Sequence, residues 1–447
     1  MYRSKKQIAL GKKTFGLSPD WNLCEENRWV VMADLIPWSE FESVYAENFA
    51  ENMGAPAKPF RMALGALIIK EKLGISDRET VEQIKENPYL QYFIGQEAYS
   101  NEAPFDASMM VHFRQRISAN IIQDVNKSMV KSAREEKEEC SESEKESEEQ
   151  GEIVNRGKLL LDATVGPADI KYPTDVGLLN EVRKVTEKTI DILYKSLKGK
   201  LSKKPITYRK KARKDYLAIA KKRKKSRKER RKAQKKQLQY IKRNLKYIKD
   251  LIEECETLKA LERRLYRKLL VGAEIYRQQK WMWENNKERI EDRIVSLSQP
   301  HIRPIKRGKA RADTEFGAKL SASCFDGYVF LDKLSWDNYN EGGDLKAQVE
   351  VYKEYTGFYP KSVHVDKIYR TRDNRDWCKK KGIRMSGPPL GRPRKNPRKE
   401  EKKQAQLDER VRNEIEGKFG LAKRKFTLNR VMTKLAETSE TGCISIL

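Results

Sequence analysis

Apolar positions recur at helical spacing through the first 133 residues. In Pro59–Leu73 they fall at Phe60, Leu64, Leu67 and Ile68, and Gly74 follows as a stop, which predicts an amphipathic helix. A second short helix starts with Ser76 or Asp77 as its N-cap, buries Val81 and Ile84, and stops near Asn87-Pro88. The pair reads equally as a helix-turn-helix or as a plain helical hairpin. Tyr89–Gly95 is aromatic and apolar, hence core, and Phe113–Ile122 continues the helical pattern.

The texture changes at Lys158–Val165, KLLLDATV, a short apolar run with one carboxylate inside it, which reads as a buried strand. Asp175 is then expected to cap a long helical stretch with Leu178, Leu179, Val182, Val185, Ile190 and Leu193 on one face. Helix is predicted to continue, with one break near Lys204-Pro205, to about Ile294 as a helical insertion. Strand signals resume at Gly317–Trp336, where two β runs flank Phe325-Asp326-Gly327, a hairpin signal. An amphipathic helix over Asp344–Tyr355, a strand over Ser362–Asp366, a further strand over Gly382–Met385, a Pro/Gly/basic loop over Gly387–Lys399 and a helix from about Lys402 to Lys423 complete the pattern. The fold class is α+β: a mixed sheet core, a helical N-terminal domain and a long basic helical insertion.

Charge sharpens this picture. The chain has 447 residues with 94 Lys+Arg against 65 Asp+Glu, a net of +29. Lys195–Lys249 holds 26 Lys and Arg and two acids, so this one block carries +24 and leaves +5 for everything else. Its densest part is Lys221–Lys236. So many cations with so few partners call for a polyanion, and contacts to nucleic-acid phosphates fit best; the plainer alternative is a solvated helix face. Arg134–Glu152 has ten acids against three bases and reads as a disordered tether. It would compete with DNA for Lys221–Lys236. No run approaches the ~18–20 apolar residues of a membrane span: Trp29–Trp38 is shorter and holds Asp34. No signal peptide is visible. Six scattered cysteines read as reduced thiols of a cytoplasmic protein.

Asp162 lies inside a strand, Asp366 at a strand end and Glu416 on a packed helix. If the two strands are adjacent, the three carboxylates converge into an oxygen-rich site for Mg²⁺ or Mn²⁺. Three histidines are too few for a His-rich zinc hydrolase. Arg412, Glu416 and Lys423 share a helix face, which suits a metal ligand beside phosphate-binding groups and equally suits ordinary helical ion pairs.

Particular stretches carry a resemblance: LLLDATVGPADIKYPTD ending at Asp175, RPIKRGKARADTEFGAK (303–319), SWDNYNEGGDL (335–345), HVDKIYRTRDNR (364–375), GIRMSGPPLGRP (382–393) and RNEIEGKFGLAKRKFTLNR (412–430), with PYLQYFIG (88–95) and FDASMMVHFRQR (105–116) upstream. The chain resembles bacterial insertion-sequence transposases of the DDE group, with a ribonuclease-H-like catalytic core. The resemblance implies that Asp162, Asp366 and Glu416 are the catalytic and metal-binding triad, holding two Mg²⁺ or Mn²⁺ ions per active site. It implies cleavage at transposon ends and strand transfer into target DNA. Arg412 and Lys423 match the family's Arg-x₃-Glu-x₆-Lys pattern and would hold DNA phosphate; where the family often has Tyr, this chain has Glu409.

The expected layout is residues 1–133 as a helical DNA-binding region, 134–156 as acidic linker, 157–180 with 300–435 as catalytic core, and 181–299 as basic insertion. Further DNA contacts are expected at Arg372 and Arg375, placed with Arg370 on a loop, and at Lys221, Arg223 and Arg230. His364 and Trp336 read as core, Glu315 and Lys319 as structural charges, and Gly391-Arg392-Pro393-Arg394 as a basic loop. The expected partners are double-stranded DNA, both transposon ends and target, and further copies of the chain. No membrane contact is expected; the place of action is the bacterial cytoplasm and nucleoid. A DNA-binding protein without activity, a metal-dependent nuclease that cuts without joining, and an RNA-binding structural protein are the rival readings.

Overall fold

A computed structural model describes residues 15–16, 22–50, 55–142, 155–197, 201, 203–255, 259–309, 312–387 and 399–446. They divide into two compact units. The first comprises Met1–Pro167, Ala318–Ser335 and Tyr339–Leu447; the second comprises Ala168–Gly317 and Trp336–Asn338. The N-terminal helices share a unit with the main part of the sheet.

The first unit opens with helices α1 (Arg28–Leu35), α2 (Glu42–Ala46), α3 (Phe60–Leu73), α4 (Asp77–Glu86), α5 (Pro88–Phe93), α6 (Met109–Arg116) and α7 (Ala119–Glu142). Helix α3 ends at Gly74 in the left-handed region, with φ 67°, and the Gly74 N–H returns to the Lys70 carbonyl. Ser76 is the N-cap of α4, accepting from the Glu79 N–H at 3.2 Å. Trp29, Phe60, Leu64, Ile84, Phe93 and Phe113 meet in one apolar core. Helix α7 continues through Glu142, so the first part of the acidic segment is helical and not a disordered tether. Its apolar face is anchored by Ile121, Val125 and Val130, and the i→i+4 ladder propagates past them. The rest of that segment up to residue 154 lies outside the described residues, as does most of the Gly387–Lys399 loop. Strand β1 (Lys158–Pro167) follows.

The second unit holds α8 (Asp175–Ser196), α9 (Arg209–Ala220), α10 (Arg227–Cys255), α11 (Arg263–Glu284), β2 (Arg303–Lys309) and the first part of β3 (Ala312–Phe325). Two expectations are corrected here. The N-cap of α8 is Thr174, not Asp175: Thr174 is extended and its hydroxyl accepts from the Gly177 N–H at 3.2 Å. The helix expected to run to about Ile294 is also interrupted at 221–226 and between Cys255 and Arg263, and ends at Glu284. Residues 221–226 are all exposed and hold no apolar side chain to pack; of their five cations, Lys222 pairs with Glu229 at 2.6 Å. Leu179, Val182, Ile241, Ile275 and Leu297 form one core cluster, and Ile190, Leu193, Ile248, Leu251 and Leu265 another.

Back in the first unit lie β4 (Tyr328–Ser335), α12 (Leu345–Thr356), β5 (Ser362–Val365), α13 (Arg372–Lys380), β6 (Arg384–Met385), α14 (Lys399–Lys425) and α15 (Ala436–Ile446). The hairpin between β3 and β4 turns on Asp326 and Gly327, with φ 52° and 82°, the left-handed pair such a two-residue turn requires. Strand order here is β4-β3-β1-β5-β6, antiparallel between β3 and β4 and parallel for β1-β5-β6. Helix α12 covers one sheet face through Leu345, Val349 and Tyr352, packed on Leu159, Leu161, Val363 and Val365. Helix α14 covers the other through Ile415 and Phe419, packed on Leu160, Ala322 and Cys324. Helix α15 packs against α3, α6 and α7, where the Thr441 hydroxyl donates to the Arg114 carbonyl at 2.9 Å. Among the described residues, no helix is long and apolar enough to cross a membrane.

Candidate active site

Side chains alternate faces along a strand. In β1, Leu159 and Leu161 face α12, so Leu160 and Asp162 face α14. In β5, Val363 and Val365 face α12, which leaves His364 and the position of Asp366 on the α14 side. The parallel register pairs Leu160 with His364 and Leu161 with Val365, so Asp162, in the middle of β1, and Asp366, just past the end of β5, are the next positions along two adjacent strands. Ile415 and Phe419 seat α14 on this face, and the Glu416 charge reaches Asp162.

Electrostatics tie the three together. Burial pushes the Asp162 carboxyl up to about 6. The Ala163 N–H, donated to Asp162 Oδ1 at 2.8 Å, and the charge of Arg412 pull it down; the negative charges of Asp366 and Glu416 add to the rise. Asp366 is exposed and its Oδ1 accepts from the Lys367 N–H at 2.7 Å. Arg412 donates to Glu416 Oε1 at 2.7 Å and to Glu409 Oε1 at 2.7 Å. Among the described residues, no three His, Cys, Asp or Glu side chains form a ready metal-binding group. The Glu416 carboxylate is paired with the Arg412 guanidinium. The donor chemistry nonetheless fits a hard divalent ion, because all three groups supply carboxylate oxygen.

Beneath these residues lies a polar support. Arg384 donates to both Asp408 oxygens at 2.8 and 2.9 Å, and Asp408 Oδ1 lies 3.6 Å from His364 Nδ1. His364 is buried, with Nε2 on the Ser362 hydroxyl at 3.0 Å, and burial depresses its pKa. Asp408 was not singled out in the sequence, although Asp408, Arg412 and Glu416 repeat every four residues along α14.

The remaining expected contacts are dispersed. Lys423 is half-buried on α14. Arg372 and Arg375 lie in the first turns of α13 and not on a loop. The Thr371 hydroxyl caps that helix by accepting from the Asn374 N–H, and Asn374 is buried with its amide on the Gly342 and Tyr369 carbonyls. Arg370 donates to the Val365 carbonyl at 2.7 Å. Lys319 is buried in an ion pair with Glu341 and donates to the Tyr339 carbonyl. Trp336 packs edge-on against His301. In the second unit, Lys221 ends α9, Arg223 lies in the α9–α10 turn and Arg230 in the first turn of α10, all exposed.

The first unit thus holds a mixed sheet flanked by helices, with Asp162 in the middle of β1, Asp366 just after the adjacent parallel β5 and Glu416 on the helix packed over them. A family model described as "Transposase DDE domain" matches residues 363–446, from β5 through α15. A second, described as "Transposase domain (DUF772)", matches residues 20–116. Two separate parts of the chain are thus similar to transposase domains, which supports an insertion-sequence DDE transposase. Asp366 and Glu416 fall inside the first match; Asp162 and the whole second unit fall outside both. The chain is 36% identical over 146 residues to the "Uncharacterized protein ORF8 in nfe locus" of Rhizobium meliloti, covering 33% of this chain and 64% of that protein. It therefore spans less than two thirds of that relative's length. No solved structure matches.

Proposed function

We propose that this protein is a DNA transposase that cuts at transposon ends and transfers the cut strands into target DNA, with Asp162, Asp366 and Glu416 as its catalytic carboxylates. The observation that carries this reading is the placement of Asp162 in β1 and Asp366 just after the adjacent β5, with Glu416 on the helix packed over them. A ribonuclease-H-like core is supported by the strand order β4-β3-β1-β5-β6 with its antiparallel and parallel halves. Asp162, Asp366 and Glu416 would hold Mg²⁺ or Mn²⁺, two ions per site. Bound there, divalent ions supply Lewis-acid stabilisation of the attacking and leaving oxygens of a phosphodiester.

The chain's own groups supply the rest. Arg412, released from Glu416, has a planar fork suited to a phosphate oxygen, and Lys423 lies further along the same helix. Arg372 and Arg375 on α13, and Lys221, Arg223 and Arg230 in the insertion, contact the DNA backbone. Residues 1–133 bind DNA as a helical region, and the protein acts as an oligomer on paired ends.

The test is a cleavage and strand-transfer assay on labelled duplexes carrying the element's ends, with Mg²⁺ or Mn²⁺, comparing wild type with Asp366→Asn. Cleavage and joining, both lost in the variant while DNA binding persists, support the proposal. Cleavage without joining points to a nuclease. Binding without any metal-dependent product points to a DNA-binding protein that has no activity.

A further inference from the structure

The second unit contains a cavity of about 590 Å³ formed by the start of α8, α10, the end of α11, the 285–294 loop and β2. Such a volume suits a ligand of nucleotide size, and a double helix does not fit in it. Its walls are strongly basic. Arg230, Arg289 and Lys306 are exposed on it. Of its two acids, Glu288 is exposed on the loop and Asp175 is already committed: it accepts from Gln234 Nε2 at 2.9 Å, Gln279 Nε2 at 3.0 Å and Arg293 Nη2 at 2.5 Å. Arg293 Nε is buried with no acceptor.

The shape is held from within. Arg227 and Arg231 both donate to Asn286 Oδ1, at 3.1 and 2.9 Å, tying the loop to α10. Asn286 and Asp292 sit at φ 53° and 50°, so the loop follows one particular path. Trp283 is a wall: its indole N–H donates to the Arg231 carbonyl, and the Arg231 and Lys235 cations lie 5.2 and 5.5 Å from its ring centre.

Tyr172 differs. It is 70% exposed and rests on Phe316 only by an edge, with ring centres 5.5 Å apart. A free aromatic face beside unneutralised guanidinium and ammonium groups is the combination that binds unpaired nucleic acid, with bases stacked and phosphates paired. A duplex offers no base face to such a ring. We propose that this cavity binds a single-stranded DNA segment, one base stacking on Tyr172 and the flanking phosphates reaching Arg230, Arg289 and Lys306. The inference rests on the reading of the protein as an enzyme acting on DNA, and it adds an unpaired-strand site to it.

The test uses the full chain and fluorescence anisotropy with a fluorescein-labelled twelve-residue oligothymidylate and, separately, a twelve-base-pair duplex. Tyr172→Ala should weaken oligothymidylate binding about tenfold and duplex binding less than twofold. Tyr172→Phe should restore it. Arg289→Ala should weaken the single strand and lower the slope of log K against log salt by roughly one. Circular dichroism and thermal unfolding matching wild type establish that each variant folds. Unchanged oligothymidylate binding in folded Tyr172→Ala, or equal losses for single strand and duplex, overturn the inference. The transposase reading fails separately, through full cleavage retained in Asp366→Asn, and that result leaves the Tyr172 comparison intact.

Discussion

Arg412 donates to Glu416 Oε1 at 2.7 Å, one helical turn along α14, and so places a positive charge on the carboxylate proposed as the third metal ligand. The guanidinium and a divalent ion compete for the same oxygen. Arg412→Gln should therefore tighten Tb³⁺ binding to the DNA-free protein by about two- to fivefold, a range set by the modest worth of exposed helical ion pairs. The same variant should lower DNA cleavage, since the fork proposed to hold a phosphate oxygen is gone. Luminescence titration with Tb³⁺ checks the first effect and the end-cleavage assay the second. Weaker Tb³⁺ binding would refute the competition.

Asp162 gives a pH signature. Its carboxyl is raised from 3.8 to about 6 by burial first, so the folded state holds its proton more tightly than the unfolded state does. Below about pH 4 both states are protonated and the group costs nothing. As pH rises through 4 to 6 the unfolded state ionises first and stability falls. The full cost above pH 6 is about 2–3 kcal/mol. Asp162→Asn should raise unfolding free energy at pH 7.5 by that order, with the gain vanishing near pH 4, and should abolish cleavage. Urea titrations at the two pH values measure it; an equal gain at both would refute the assignment.

Asp408 anchors the helix that carries Glu416. Its two oxygens take the Arg384 fork and it faces the buried His364 ring. Asp408→Ala strands a guanidinium that is half-exposed, so we expect about 2 kcal/mol of destabilisation, below the fully buried range. Cleavage should fall with it at temperatures where the fold persists. Denaturant unfolding and the cleavage assay, run side by side, report both.

Phe419 sets how α14 sits on the sheet. Phe419→Ala should cost about 3–5 kcal/mol through the cavity left above Leu160 and Ala322. Phe419→Leu, closer in volume, should cost less and keep more activity. The ordering of the three proteins in thermal unfolding and in cleavage is the readout, and identical stability for the two variants would contradict this packing.

The sheet was legible wherever a short apolar run stood between turn residues. Lys158–Val165, the Asp326-Gly327 turn and Ser362–Asp366 all became elements near their expected bounds, and the neighbouring positions of Asp162 and Asp366 follow from them. Strand β2 was missed because RPIKRGK shows neither alternation nor an apolar run. Helix α13, RDNRDWCKK, buries only Asn374 and Cys378, so two arginines expected on a loop lie on a helix set by a Thr371 cap. The Asp408–Arg384 support joins residues whose partner is fixed only by the tertiary fold. Tyr172 gave no signal at all, since an exposed aromatic and a core one look alike in sequence.

The docking of α15 on α3, α6 and α7 has a consequence for synthesis. Thr441 reaches the Arg114 carbonyl across 327 residues of chain. A nascent polypeptide emerging from the ribosome cannot finish packing its first helices until those residues have followed. Frameshifted or prematurely stopped products should accordingly expose the Ile117 and Ile121 region, bind chaperones and be degraded, so that a damaged copy of the gene yields little folded fragment to occupy DNA.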